Sequence, residues 1–166
     1  MAKLYIGIDP GVTGSIAAIC GNDGNLVDDM PTLTAPNASR KETYINAVSV
    51  KVLIETIMGD HNMKVDDTLI VLEKTQPMKD SAMTAFSMGM SRGILIAVAS
   101  IIGIPKIDVM PQVWKKHFGL IKCDKDASRT LALDRFPWLS DSLKRKKDHN
   151  RAEALLLALY GKEKSF

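Results

Sequence analysis

Two acids in this 166-residue chain each close an apolar run, and the chemistry of paired carboxylates is what its residue types first suggest. Asp9 follows residues 4–8 and sits in Gly7-Ile8-Asp9-Pro10-Gly11-Val12-Thr13-Gly14. A charge directly after a buried strand is costly unless the chain emerges there, and Pro10-Gly11 supplies the turn that lets it emerge. Glu73 repeats the pattern after Leu69-Ile70-Val71-Leu72. Acids ending neighbouring parallel strands would meet at one sheet edge, repel each other and hold their protons more tightly unless a cation binds. Hard divalent ions favour such oxygen ligands. Each acid also has a plainer role available: Asp9 as a turn cap, Glu73 as a surface acid paired with Lys74.

A third group, Asp148-His149-Asn150-Arg151-Ala152-Glu153, precedes a leucine-rich segment. His149 and Glu153 are four apart and share a face of a continuous helix. Asp148 joins that face only if the helix starts later, yet it is the better ligand for a hard metal. Asn150 and Glu153 also fit the N-cap and third position of a capping box. All of these readings remain open at this point.

Cations surround the third group. Lys144, Arg145, Lys146 and Lys147 are consecutive, and Lys115, Lys116, Lys122 and Lys125 lie upstream. Arg40 and Lys41 stand in a polar stretch, 31–42, that reads as a mobile loop. Clusters of this kind hold phosphates or simply form a solvated basic face.

The elements that would position these residues follow from patterning. Residues 4–8, 15–20 and 26–30 read as three strands in an antiparallel meander, with a turn at Asn22-Asp23-Gly24-Asn25. Residues 43–58 have helical spacing through Ile45, Val48, Val52, Ile54 and Ile57. Residues 68–72 form a fourth strand, 81–102 a long helix and 106–110 a fifth strand. Shorter helices follow at 111–118 and 125–136, and a largely apolar one at 150–160. Gly89 and Gly93 inside the long helix cost about 1 kcal/mol each relative to Ala, which a close approach of another element would explain. The order predicts an α/β fold in one domain, 1–166: a five-stranded mixed sheet flanked by helices.

Composition agrees. The chain is 46% hydrophobic and 25% charged, which suits a globular core and excludes a disordered tail. The most apolar stretch, 93–104, is short for a membrane span of about 20 residues, so no membrane partner is expected. The opening residues lack a signal-peptide layout, which predicts a cytoplasmic protein. Cys20 and Cys123 lack metal-ligand spacing and are expected to be free thiols.

The motifs together resemble those of RuvC-type Holliday junction resolvases. Residues 6–14 resemble that family's opening motif, and Glu73 its second acid. Ser87-Met88-Gly89-Met90-Ser91-Arg92-Gly93 is similar to its long-helix motif. Pro111-Gln112-Val113-Trp114-Lys115-Lys116, with Gly119, is similar to the segment before its basic DNA-binding loop. Residues 146–155 resemble its C-terminal acidic motif, especially in phage-type and chloroplast-type members. The match runs over nearly the whole chain in the correct order.

The resemblance implies an RNase H-like fold, a homodimer and an endonuclease acting on four-way or branched DNA in a bacterial or phage-infected cell. It implies two divalent ions per site, Mg²⁺ or Mn²⁺, held by Asp9, Glu73, Asp148 or His149, and Glu153. Arg40, Lys41, Lys115, Lys116, Lys122, Lys125 and the 144–147 run would hold DNA phosphates. Hydrolysis would leave 5′-phosphate and 3′-hydroxyl ends, and a two-fold dimer would nick opposed strands in pairs. The chain departs from the better-known bacterial members in two ways. Asn150 stands three residues before Glu153, where they carry a ligand, and Lys74, Thr75 and Gln76 follow Glu73, where they carry an aromatic wedge. Met78 and Phe86 are the candidate replacements for the wedge. Three other functions compete: an actin-like or sugar-kinase-like ATPase, which needs two such domains; a nuclease for RNA or other branched DNA; and a junction-binding protein without catalysis.

Overall fold

The computed structural model describes residues 3–21, 23–35, 42–75 and 81–166; the side chains of residues 23–25 and Lys125 fall outside that description. Arg40, Lys41 and Met78 lie outside the described residues.

Five strands form one mixed sheet, in which residues 23–29, 15–20, 4–9, 68–73 and 106–109 lie side by side in that order. Strands β1 (Leu4–Asp9), β2 (Ser15–Cys20) and β3 (Asp23–Asp29) make the antiparallel meander. Strands β6 (Thr68–Glu73) and β7 (Lys106–Val109) then run parallel to β1. Two further strands lie outside the expected five: β4 (Thr32–Thr34) and β5 (Thr43–Ile45) pair as a separate antiparallel hairpin. The expected loop at 31–42 is therefore partly strand. The helix expected from residue 43 instead begins after β5, as α1 (Ala47–Asp60), where the Asn46 side chain accepts from the Ser49 amide. Its inner face is Val50, Ile54, Ile57 and Met58, while Val48 and Val52 are exposed, because at 3.6 residues per turn these two valines lie on the side of the helix away from Ile54 and Ile57.

The sheet separates two cores. Leu4, Ile6, Ile8, Ile70 and Leu72 face α1 and the long helix α2 (Ala82–Ile102). Tyr5, Leu69 and Val71 face the opposite way, toward the last helix, α5 (His149–Glu163). Side chains alternate across a strand, so Asp9 and Glu73 share the α5 face. Helix α5 is apolar nearly all round, with residues 154–158 fully buried, as expected of a helix enclosed by other elements. It lies directly on β1 because Gly7 has no side chain. A Cβ there would meet the Ala154 carbonyl oxygen at 2.0 Å and the Ala158 nitrogen at 2.5 Å. Short helices α3 (Pro111–His117) and α4 (Lys125–Arg135) complete that layer.

Helix α2 begins at Ser81, whose hydroxyl accepts from the Thr84 amide, and stops at Gly103, whose φ of 86° suits glycine. It packs on the sheet through Ser91, Leu95, Val98 and Ala99. Its outer face carries Phe86 and Ile101, 65% and 71% exposed. The whole helix, at 21 residues, is long and apolar enough to cross a membrane, which the 93–104 stretch alone had not suggested. It nevertheless rests on the sheet, and Arg92 within it pairs with Asp108 of β7 at 2.7 Å. Beyond the helix's own backbone, nothing among the described residues comes within 4 Å of a Cβ placed at Gly89 or Gly93, so no close approach among those residues explains them.

Candidate active site

Ile8 of β1 lies opposite Leu72 of β6, so the next residues, Asp9 and Glu73, stand side by side where the two parallel strands end. The tight turn after Asp9 needs Gly14, where a Cβ would meet the Asp9 carbonyl oxygen at 2.0 Å. A cleft of about 280 Å³ opens over the two acids, lined also by Pro10, Lys74, Thr75 and Met88 and by Pro111 and Gln112 at the start of α3.

Glu153, in the second turn of α5, is close enough to act electrostatically on both acids. Burial, then the neighbouring Glu73 and Glu153 carboxylates, hold the Asp9 carboxyl well above the usual carboxylate range. Burial raises Glu73 too; the indole N–H of Trp114 opposes the rise and Glu153 adds to it. Lys115 partly offsets the excess negative charge. Its ammonium lies 2.9 Å from Glu153 Oε1 and lowers both Asp9 and Glu73. The Ser128 hydroxyl also donates to Glu153, at 3.4 Å.

Three partly buried carboxylates with one ammonium among them fit a hard divalent cation, whose charge would offset the crowding that raises Asp9 and Glu73. Among the described residues, no three His, Cys, Asp or Glu side chains already form a metal-binding group. Glu73 is held by Trp114 and Glu153 by Lys115 and Ser128.

The other expected ligands lie elsewhere. Asp148 is 2% exposed and clasped by Arg145. Its carboxylate accepts from the Arg145 amide at 2.7 Å and from the guanidinium at 2.7 and 3.0 Å. That clasp outweighs burial and holds Asp148 below the usual range. The His149 ring bonds the Lys146 carbonyl at 3.1 Å. A short 3₁₀ turn, Lys146–Asp148, enters α5 and fixes both orientations. The capping box also fails: Asn150 is already inside α5 and donates to the Thr13 carbonyl at 2.5 Å. Glu73 pairs with Trp114 rather than Lys74.

Of the expected phosphate-binding cations, Lys115 sits in the acidic site and Arg145 is committed to Asp148. Lys116, Lys122, Lys146 and Lys147 are exposed, and Lys144 makes a 3.6 Å pair with Asp141. Lys125 begins α4. Phe86 lies on the outer face of α2, 65% exposed. Both cysteines are free; Cys20 is partly buried at the end of β2 and Cys123 exposed. Sequence patterning did not single out Trp114 and Ser128, whose partners are 41 and 25 residues away in the chain.

No family model matches the chain. Over 116 residues it is 28% identical to the crossover junction endodeoxyribonuclease RuvC of Chlamydia felis, an alignment spanning 70% of this chain and 67% of that protein. Its fold is similar to Thermus thermophilus RuvC in complex with a Holliday junction substrate, with a TM-score of 0.57 at 15% identity, covering 98% of this chain and 94% of the other. A second Thermus thermophilus RuvC structure matches with a TM-score of 0.55 at 14% identity, covering 97% and 96%. The fold is RNase H-like, and the resemblance to RuvC-type resolvases carried by the sequence motifs holds both in an overall sequence alignment and in the fold.

Proposed function

We propose that this chain is a single-domain, metal-dependent endodeoxyribonuclease that resolves four-way or branched DNA junctions in the cytoplasm of a bacterial or phage-infected cell. The observation that carries this reading is the placement of Asp9 beside Glu73 at two adjoining strand ends, with the Lys115–Glu153 pair next to them through α3. Asp9, Glu73 and Glu153 would hold Mg²⁺ or Mn²⁺, two ions in the fullest form of the reading. Divalent ions there would supply activated water and neutralise charge on a phosphodiester. Asp148 and His149 would serve the start of α5 rather than the metal. The assignment to a phage-type or chloroplast-type branch rests on residues 146–155 alone.

Lys116, Lys122, Lys146 and Lys147 would bind phosphates. The exposed stripe Phe86, Gly89, Gly93 and Ala97 on α2 would meet its counterpart in a second copy, since residues at this spacing share one helix face. A two-fold dimer would then offer two sites to two opposed strands. A second reading, a junction-binding protein without catalysis, is favoured by one observation: Glu73 is already bonded by Trp114 and Glu153 by Lys115. Nicking of a branched DNA by the purified chain in Mg²⁺, abolished by EDTA and in Asp9→Asn, supports the nuclease. Tight binding without nicking in Mg²⁺ or Mn²⁺ supports the second reading.

A further inference from the structure

Trp114 is fully buried, and its one side-chain polar atom bonds a carboxylate rather than a backbone carbonyl. The indole Nε1–H donates to Glu73 Oε2 at 2.7 Å. A buried indole N–H needs an acceptor, and here a site carboxylate is that acceptor. The route by which α3 delivers it is short. Val109, the last residue of β7, lies opposite Glu73, and Met110 leads into Pro111 at the first helical position. Proline there fixes the helix start without losing a needed donor. Trp114 then enters the core that Phe136, Leu143 and Ala152 also build, while the next residue, Lys115, reaches Glu153. Two consecutive residues of one helix turn thus touch two different site acids.

We propose that Trp114 is a positioning residue for the acidic site: its indole N–H commits one oxygen of Glu73 and fixes the orientation in which that carboxylate meets a divalent cation. This rests on the nuclease reading given above. Glu73 ends its strand with a flexible side chain, and without the indole its carboxylate would sample rotamers that the cleft allows. Groups that hydrogen-bond a metal-ligating carboxylate typically change metal affinity or activity by about 10–100-fold when removed.

The test uses the 166-residue chain and Mg²⁺ or Mn²⁺ alone as probe. Trp114→Phe keeps an aromatic ring in the core and removes the donor. Leu143→Ala, another fully buried position in the same core, controls for loosened packing. The expected result is an approximately 10-fold or greater loss of Mn²⁺ affinity in Trp114→Phe, read by calorimetry. Leu143→Ala should hold Mn²⁺ near the wild-type affinity, and nicking by Trp114→Phe should recover as Mg²⁺ is raised.

A second measurement needs no disruptive variant. The two tryptophan indoles give two ¹H–¹⁵N signals, assigned with Trp138→Phe. The Trp114 signal should exchange slowly with solvent and shift on Mg²⁺ titration. Wild-type Mn²⁺ affinity in Trp114→Phe, equal losses in both core variants, or a Trp114 indole signal blind to Mg²⁺ would each overturn the proposal while leaving the nuclease reading intact. A wild-type chain that binds no divalent ion and cuts no DNA would overturn both.

Discussion

Asp9 and Glu73 stand side by side at the ends of two parallel strands, and the Glu73 carboxylate is one reason the Asp9 carboxyl resists ionisation. The site is built with more negative charge than it can hold comfortably, and that excess is both its cost and its use.

The cost should appear in metal-free protein. A carboxyl whose folded pKa is raised adds stability that is complete below its unfolded value, about 3.9 for Asp, and is lost as pH rises through the folded value. Asp9 and Glu73 both shift this way. Asp9→Asn should therefore melt higher than wild type at pH 7 without metal, and the gap should close toward pH 4. Added Mg²⁺ should raise the wild-type melting temperature and leave Asp9→Asn little changed. Thermal unfolding across pH checks this; an Asp9→Asn protein that is less stable at neutral pH would contradict it.

Lys115 makes the complementary case. Its ammonium is 2.9 Å from Glu153 and lowers the proton affinity of two further acids. Lys115→Met should destabilise the metal-free chain by about 1–2 kcal/mol, because it leaves partly buried carboxylates uncompensated. Mg²⁺ should stabilise this variant more than wild type. Denaturant titrations with and without Mg²⁺ measure both effects.

Gly7 holds α5 against β1. Gly7→Ala drives a methyl group into helix backbone rather than into a side chain that can move aside. The expected loss is about 2–3 kcal/mol, with poor tolerance for repacking. Because Glu153 rides on the displaced helix, nicking should fall more steeply than stability alone explains at temperatures where the variant remains folded.

Asp148 and Asp9 should behave oppositely. Asp148 is held below the usual carboxylate range by its bonds to Arg145. Its contribution to stability is present above the unfolded value and lost as pH falls through the folded one. Asp148→Asn should lower the melting temperature at pH 7 while retaining divalent-metal affinity. A variant that keeps its melting temperature but loses metal binding would instead make Asp148 a ligand.

DNA binding should weaken with salt, since phosphate contacts release counterions. Replacing Lys146 and Lys147 with Ala should reduce the slope of log K against log salt by about 1 per contact removed. A flat wild-type response would contradict phosphate-dominated binding. On α2, Phe86→Glu with Ile101→Glu should give a monomer in sedimentation and uncouple paired nicks, with the metal site unaffected.

Much of this arrangement was legible in the sequence because apolar runs closed by an acid report their own strand ends. Asp9 and Glu73 are visible that way, but the face they share is not, because residues 4–8 and 69–72 are apolar throughout and only the register that sets Ile8 opposite Leu72 decides it. The leucines of α5 announce burial. Other features depend on geometry that patterning does not carry. Ile45 fits a helical spacing but belongs to β5, because pairing with Thr32 ties it into the hairpin before α1 begins. Asn150 looks like a helix cap, yet the 3₁₀ turn at Lys146–Asp148 starts the helix earlier and turns Asp148 toward Arg145. The Trp114–Glu73 bond joins residues 41 positions apart, which no local motif signals.

Cleavage of a labelled four-way junction in Mg²⁺, beside a linear duplex of the same sequence, tests the central claim most directly. Paired, symmetric nicks in the junction alone, absent with EDTA and in Asp9→Asn, are the predicted result. Junction binding without cleavage in either Mg²⁺ or Mn²⁺ would contradict it.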